Sequence, residues 1–187
     1  MKRLIALLLC IALFSGIAFS ASAALPDEAA LTDEEWSVLL LTNRERLKQK
    51  LDPLTATPFL QEVGDVRADE ITVSFSHTRP DGTDCCTALD TKAHPYSAMG
   101  ENIAYGQPSP AAVMNSWMNS PGHRENILSA NYRHIGVGHK AALDSAGYRS
   151  NFWVQFFYSN WSCSYSSVKL AGSNAVPGGC ASIDEAR

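Results

Sequence analysis

Histidines are the residues of this chain best suited to bind a metal or to move a proton, and two of the five stand out by their setting. His77 lies in "FSHTRPDG" and His123 lies in "NSPGHRENIL", each beside turn-forming residues, where side chains from different segments can converge. Glu101 lies between two glycine-bounded apolar stretches, "AMG" and "IAYG". We expect structural or surface roles for the remaining histidines, which are His94, His134 and His139.

Two interpretations of His77, Glu101 and His123 stand at this point. Two neutral imidazoles can ligate zinc at about 2.0–2.1 Å, with Glu101 either orienting an imidazole or taking a proton from a metal-bound water. Alternatively, His123 hydrogen-bonds Glu101 and ties the loop at Gly100 to the helix end at Pro121, without a metal. The sequence contains no H-x-x-x-H pair, so spacing along the chain does not decide between them.

Nucleophilic catalysis by a serine has little support in the sequence. Ser76 is next to His77 and Ser120 lies near His123, but neither serine lies in a G-x-S-x-G turn. Side chains that are adjacent in sequence rarely face each other, so we do not expect a serine hydrolase.

The N-terminal residues predict an exported protein. Lys2 and Arg3 precede an apolar run over 4–19, and Ala21-Ser22-Ala23 fits a signal-peptidase site. The run is shorter than the about 20 apolar residues of a bilayer span. We therefore expect a cleaved signal peptide at 1–23, no stable membrane span afterwards, and a secreted or envelope-associated protein. An uncleaved anchor is the alternative.

Charge and length limit the classes of partner and the number of domains that the chain can have. The net charge is −4 and no basic cluster is visible, which argues against nucleic acid as a partner. The length after the signal peptide suits one domain with one sizeable core. We place a short leader at 24–33, the domain at 34–160 and a polar tail at 161–187.

Four cysteines remain after the signal peptide, and an even number in an exported protein favours disulfides. A bond between the adjacent Cys85 and Cys86 would close a strained ring. Four cysteines allow three pairings. Among the possible bonds we favour Cys163 with Cys180, which would staple the tail to the core.

Helix signals dominate the first two thirds of the chain. Thr32 and Glu35 form a capping-box pattern that begins a first helix, whose apolar face is expected to include Trp36, Leu39, Leu40 and Leu47. Thr57-Pro58 begins a second helix, and Ser109-Pro110 begins a third that ends near Pro121. The second helix has small residues on a face that consists of Leu60, Val63, Gly64, Arg67, Ala68 and Ile71.

Strand signals follow the helices. The segment "HIGVGHK" alternates and carries two glycines that allow close backbone approach, and "YRSNFWVQFFYS" is rich in aromatic residues. A hairpin loop at 141–147 is expected between them. Helices that precede strands favour separate α and β layers over a βαβ winding.

Five motifs occur in a fixed order along the chain. They are "FSHTRPDG" (75–82), "GENIAYG" (100–106), "SWMNSPGHRENIL" (116–128), "HIGVG" (134–138) and "WVQFF" (153–157). Together they resemble the CAP superfamily, or SCP domains, which includes cysteine-rich secretory proteins, antigen 5 and plant pathogenesis-related proteins. The resemblance covers residues 34–158 and is strongest to the bacterial branch. It implies an α+β fold, a three-layer α-β-α sandwich with a central antiparallel sheet.

The resemblance also implies a cleft lined by two histidines and acidic residues. His77, Glu101 and His123 match the family's positions, and in some members the histidines bind a divalent metal such as zinc. Animal and plant members usually carry a second glutamate after the helix tryptophan. Ser120 occupies the matching position here, so one negative charge is absent and a weaker cation site is expected.

The function expected from the resemblance is an extracellular binding or interaction module. Its ligand would be a lipid, an envelope glycan or a protein. The alternative is a metal-dependent hydrolase, in which zinc on His77 and His123 activates water and Glu101 takes the proton. A purely structural envelope component is the third possibility.

Overall fold

The structure is a computed structural model that describes residues 30–160. The signal-peptide prediction, most of the predicted leader, and the tail with Cys163 and Cys180 lie outside the described residues. Within 30–160, none of the helices is long and apolar enough to cross a membrane. The elements, in chain order, are α1 (Asp33–Lys48), β1 (Thr55–Ala56), α2 (Pro58–Val73), a 3-10 turn (Cys85–Ala88), β2 (Ala98–Tyr105), α3 (Pro110–Asn119), α4 (Pro121–Ile127), β3 (His134–Leu143) and β4 (Arg149–Ser159).

The four strands form one sheet in the order β1-β3-β4-β2. The long strands β3, β4 and β2 pair antiparallel, as the resemblance implies, whereas the two-residue β1 pairs parallel with β3. Strand β2 therefore lies at the end of this order, with β4 as its one neighbour in the described sheet.

Alternation along β4 places helices on both faces of the sheet. Trp153 and Phe157 belong to a buried cluster with residues of α1, α3 and α4. Phe152, Val154 and Phe156 point the other way and pack with residues of α2. The prediction of a three-layer α-β-α sandwich is confirmed.

Two glycines of β3 let α2 lie directly on the strand. A Cβ at Gly136 would overlap the Leu60 carbonyl, and one at Gly138 would overlap the Gly64 carbonyl. The close approach expected from "HIGVGHK" is confirmed, and so is the buried face predicted for α2.

The apolar face predicted for α1 is wrong in most positions. The capping box at Thr32 and Glu35 is present, but Trp36, Leu40 and Leu47 are each at least half exposed, and only Leu39 of the predicted set is buried. The buried stripe also includes polar residues, because the interior offers them partners. Arg46, for example, donates from Nη1 to two main-chain carbonyls, those of Ile127 and Ser129.

Strand β2 was not expected, because its sequence carries a glycine and two polar residues and shows no simple alternation. It pairs with β4 along its whole length, from Ala98 opposite Ser159 to Tyr105 opposite Phe152. The predicted strands β3 and β4 are confirmed. Their connection is shorter than expected, because β3 continues to Leu143.

Candidate functional site

The register of β2 on β4 decides which way the site residues point. Glu101 lies opposite Phe156 and Asn102 lies opposite Gln155. Phe156 faces α2, whereas Gln155 bonds Thr42 of α1 and lies beside Met114 of α3. Glu101 therefore faces the α2 layer, and Asn102 faces the layer formed by α1, α3 and α4.

The carboxylate of Glu101 is held from two sides. Arg67 of α2 donates from Nε to Oε1 at 2.7 Å and from Nη2 to Oε2 at 3.3 Å, and Nδ1 of His77 lies 2.6 Å from Oε2. The side chains of Arg67 and Glu101 are fully buried, and His77 is 7% exposed. A charged pair in this setting needs its hydrogen bonds satisfied, and these contacts do so.

Arg67 also fixes the loop that carries His77. Its Nη2 donates to the Ser76 carbonyl at 2.8 Å, and its Nη1 donates to Glu70 at 2.6 Å. Glu70 in turn accepts from Nη2 of Arg79 at 2.6 Å and from its Nε at 3.0 and 3.1 Å. Burial acts to raise the pKa of Glu70, but the bonds from Arg79 and Arg67 outweigh it and lower that pKa. The loop residues 76–79 are thus tied to α2 by charged hydrogen bonds.

The contact with Glu101 sets the tautomer of His77. A carboxylate that is paired with an arginine accepts hydrogen bonds and does not donate them, so the proton between it and His77 lies on Nδ1. In the neutral form of His77, the lone pair of the ring is then on Nε2.

His123 lies in the first turn of α4 and is 2% exposed. Its Nδ1 lies 2.9 Å from Oγ of Ser120. Burial and then the charge of His77 lower the pKa of His123 to about 4. His123 is therefore neutral at neutral pH.

Amide side chains join α4 to the edge strand. Asn102 Nδ2 donates to the His123 carbonyl at 3.1 Å, and Asn126 Nδ2 donates to Asn102 Oδ1 at 2.9 Å and to the Glu101 carbonyl at 3.3 Å. In the metal-free interpretation, a bond between His123 and Glu101 was expected to join α4 to β2. Asparagines make the tie instead, and Glu101 bonds His77.

A sequence profile of the cysteine-rich secretory protein family, CAP, matches residues 39–157. This chain belongs to the CAP family. It is 39% identical over 125 residues to the uncharacterized protein YkwD of Bacillus subtilis, an alignment that covers 66% of the chain and 46% of YkwD. It is 31% identical over 134 residues to the uncharacterized membrane protein YlbC of the same organism, covering 66% of the chain and 38% of YlbC. The chain thus spans less than half the length of these curated relatives.

Solved structures agree with the CAP fold. The SCP-domain structure of an extracellular protein from Bacillus anthracis superposes with a TM-score of 0.57 at 24% identity, covering 70% of this chain and 45% of that one. An outer surface protein from Borrelia burgdorferi superposes with a TM-score of 0.57 at 20% identity, covering 72% of this chain and 98% of that one. These likenesses establish the fold.

The imidazoles of His77 and His123 are better placed to bind a metal than the carboxylate of Glu101 is. Ligating histidines usually donate their second ring N–H to an oxygen that fixes the ring, and His77 has such an oxygen on Glu101. Ser120 can serve His123 in the same way. Both carboxylate oxygens of Glu101 already bond Arg67 or His77, so this side chain is better placed to orient a ligand than to be one.

Two residues of the site were not expected from the sequence. Arg67 was assigned only to a helix face, although a charge within an otherwise apolar stripe is itself a signal of a buried partner. Cys85 is fully buried and offers its Sγ within 4.8 Å of ligand atoms of His77 and Glu101. Burial, and next the charge of Glu101, raise the pKa of the Cys85 thiol, so it is protonated beside the carboxylate.

Proposed function

We propose that this CAP domain is an extracellular binding module whose cleft holds a divalent cation, such as zinc, between His77 and His123. The cation would help to recognise an envelope or host ligand. An exported location is supported by the N-terminal signal pattern. It also agrees with the descriptions of the two fold neighbours as an extracellular protein and an outer surface protein.

The observation that carries this proposal is the 2.6 Å contact between His77 Nδ1 and Glu101. It fixes the orientation of the ring, and in neutral His77 it places the lone pair on Nε2, which would be the metal-binding nitrogen in this proposal. The 2.9 Å contact between His123 and Ser120 does the same when Nδ1 of His123 is the donor. Neutral imidazoles in fixed orientations are what a borderline-soft cation such as zinc requires.

The affinity for a cation would be modest. Two protein ligands are fewer than the three of most catalytic zinc sites. The absent second glutamate removes a negative charge, and Arg67 neutralises Glu101. Water, or oxygen atoms of a lipid, glycan or protein ligand, would complete the coordination. Such an exchangeable site suits ligand-dependent binding.

The geometry favours binding over the hydrolase alternative. A general base must reach the proton that it abstracts, and its carboxylate oxygen must be available to do so. Oε1 of Glu101 accepts from Arg67, and Oε2 accepts from His77 and Arg67. Glu101 therefore has a positioning role in this proposal, and no step of water activation is assigned to it.

The test is calorimetric titration of zinc into the mature protein and into the His77→Asn and His123→Asn variants. His94→Asn is the matched control, because His94 stacks on Phe59 and is not among the residues that contact Glu101 or Ser120. We expect one zinc per chain, with each site variant weakening binding at least about tenfold and the control leaving it unchanged. No heat up to millimolar zinc, or unchanged binding in both site variants, would overturn the proposal.

A further inference from the structure

The outer face of α1 carries a row of large apolar side chains. Trp36, Leu40 and Leu47 are 51%, 52% and 59% exposed. Their spacing along an α-helix places them within about 40° of one another around the helix axis. They therefore form one continuous row over three turns, here called the α1 stripe.

The opposite side of α1 buries polar groups instead. Thr42 accepts from Gln155 at 2.7 Å, and Arg46 donates to main-chain carbonyls in the interior. A surface helix normally buries its apolar side and exposes its polar side, and α1 does the reverse at these positions. Single exposed apolar residues are common, whereas an aligned row of three, one of them a tryptophan, is typical of an interaction surface.

The exposed charges of α1 are separated by sign along its axis. The acidic residues at 33–34 are exposed in the first turn, and Arg44, Lys48 and Lys50 are exposed toward the other end. Glu45 lies among these cations, but it already bonds Lys48 at 2.7 Å, so this end keeps a positive surplus. A helix that is acidic at one end and basic at the other is complementary in charge to an antiparallel copy of itself. The acidic end disfavours an anionic membrane as the partner, because membrane-surface helices are rich in cations.

We propose that the α1 stripe pairs with the α1 stripe of a second copy of this chain, with the two helices antiparallel about a two-fold axis. The axis passes the helices between residues 41 and 42. Trp36 of one copy then lies opposite Leu47 of the other, because the two positions are equally far from the axis along the helix. Asp33 of one copy lies opposite Lys50 of the other for the same reason. The contact is isologous, so the same surface serves both copies and the assembly closes as a dimer.

The dimer is expected to be weak and reversible. A single pair of helices buries less than the about 1,200 Å² at the lower end of stable interfaces. We therefore expect dimers that dissociate on dilution.

The test is sedimentation equilibrium of the mature protein at micromolar to millimolar concentrations. We expect a monomer–dimer equilibrium in the wild type. Leu40 is the stripe residue nearest the axis, so Leu40→Glu places two like charges across it and should weaken dimerisation at least about tenfold. Val73→Glu is the matched control, because Val73 is 80% exposed at the end of α2, in the layer on the other face of the sheet. It should dimerise like the wild type, and circular dichroism checks that both variants are folded.

Charge reversal tests the antiparallel arrangement. Asp33→Lys should weaken the dimer, because it places two cations opposite each other. The double variant Asp33→Lys/Lys50→Asp should regain the wild-type dissociation constant. A double variant as weak as Asp33→Lys would overturn the antiparallel pairing.

Two further results would overturn the proposal as a whole. One is a monomer at every concentration, and the other is a dimer that Leu40→Glu leaves unchanged. Sedimentation of a monomeric wild type with phosphatidylglycerol vesicles, lost in Leu40→Glu, would assign the stripe to a membrane surface instead.

Discussion

Arg67 and Glu101 form a fully buried salt bridge, with 2.7 Å between Nε of the arginine and Oε1 of the glutamate. The pair connects the middle of α2 to the edge strand β2. Burying both charges costs free energy, and the mutual attraction and the further bonds to Ser76, Glu70 and His77 offset that cost. The pair therefore positions His77 and also couples two layers of the fold.

Replacing Arg67 with leucine should destabilise the protein by about 3–5 kcal/mol, because the Glu101 carboxylate is left buried without its counter-charge. Urea denaturation gives the free energy of unfolding. The control is Lys140→Met, which removes a salt bridge of similar length to Asp69 whose side chains are both more than half exposed. Little change is expected there, since solvent screens that pair. Equal losses in the two variants would refute the special role of the buried pair.

Gly136→Ala should be poorly tolerated, because the new Cβ would overlap the Leu60 carbonyl of α2. Backbone cannot rotate away as a side chain can, so we expect a loss of about 3 kcal/mol or a failure to fold. Gly147→Ala is the control. Nothing lies within 4 Å of its new Cβ, and its φ of +81° costs only about 1 kcal/mol of turn strain. Thermal unfolding compares them, and similar midpoints would contradict the close packing of α2 on β3.

Acidification should destabilise the protein through His123. The folded-state pKa of about 4 lies below the value of 6.5 expected in the unfolded chain, so the unfolded state binds the extra proton first. The stability due to this group is present above pH 6.5 and is lost as the pH falls toward 4, a change of about 3 kcal/mol. Denaturation of the wild type and His123→Gln between pH 7 and pH 4 measures it. The variant should lose less stability over this window, and parallel curves would contradict the prediction.

Asp65→Asn should stabilise the protein at pH 7 but not at pH 4. Burial and then the charge of Glu35 raise the pKa of Asp65 to about 6. Ionised Asp65 is therefore less favourable in the folded state than in the unfolded state, and at pH 7 this difference lowers the free energy of unfolding. The asparagine oxygen can keep the bond from Gln61. Because Asp65 is exposed to solvent, the gain should stay below about 1 kcal/mol. Thermal midpoints at the two pH values test this, and a gain at pH 4 as large as that at pH 7 would count against it.

Much of the fold follows from the sequence, because apolar periodicity and the glycines of β3 predict which helix face and which strands are buried. The periodicity and the glycines indicated the buried face of α2 and the strands β3 and β4, whereas the three-layer sandwich was implied by the resemblance that the five motifs carry. Local patterns were insufficient where polar groups are buried. The interior face of α1 carries Thr42 and Arg46, whose partners are carbonyl and amide groups on distant segments.

The residues of the site were predicted, and so was a role for Glu101 in orienting an imidazole, but the bond between Glu101 and Arg67 was not. His77, Glu101 and His123 do lie around β2, yet the bond of Glu101 to Arg67 depends on the register between β2 and β4. A shift of one residue would turn Glu101 to the opposite face. Since β2 was not expected, neither was that register, and the role of Arg67 could not be derived.

The most direct test of the central claim is ¹⁵N NMR of the histidine side chains, recorded at pH 7 before and after zinc is added. We predict a proton on Nδ1 and none on Nε2 of His77, and zinc-dependent shifts of Nε2 in His77 and His123 but not in His94. A proton on Nε2 of His77, together with no zinc-dependent shift at either site histidine, would contradict the claim that Glu101 and Ser120 orient the two imidazoles toward a metal.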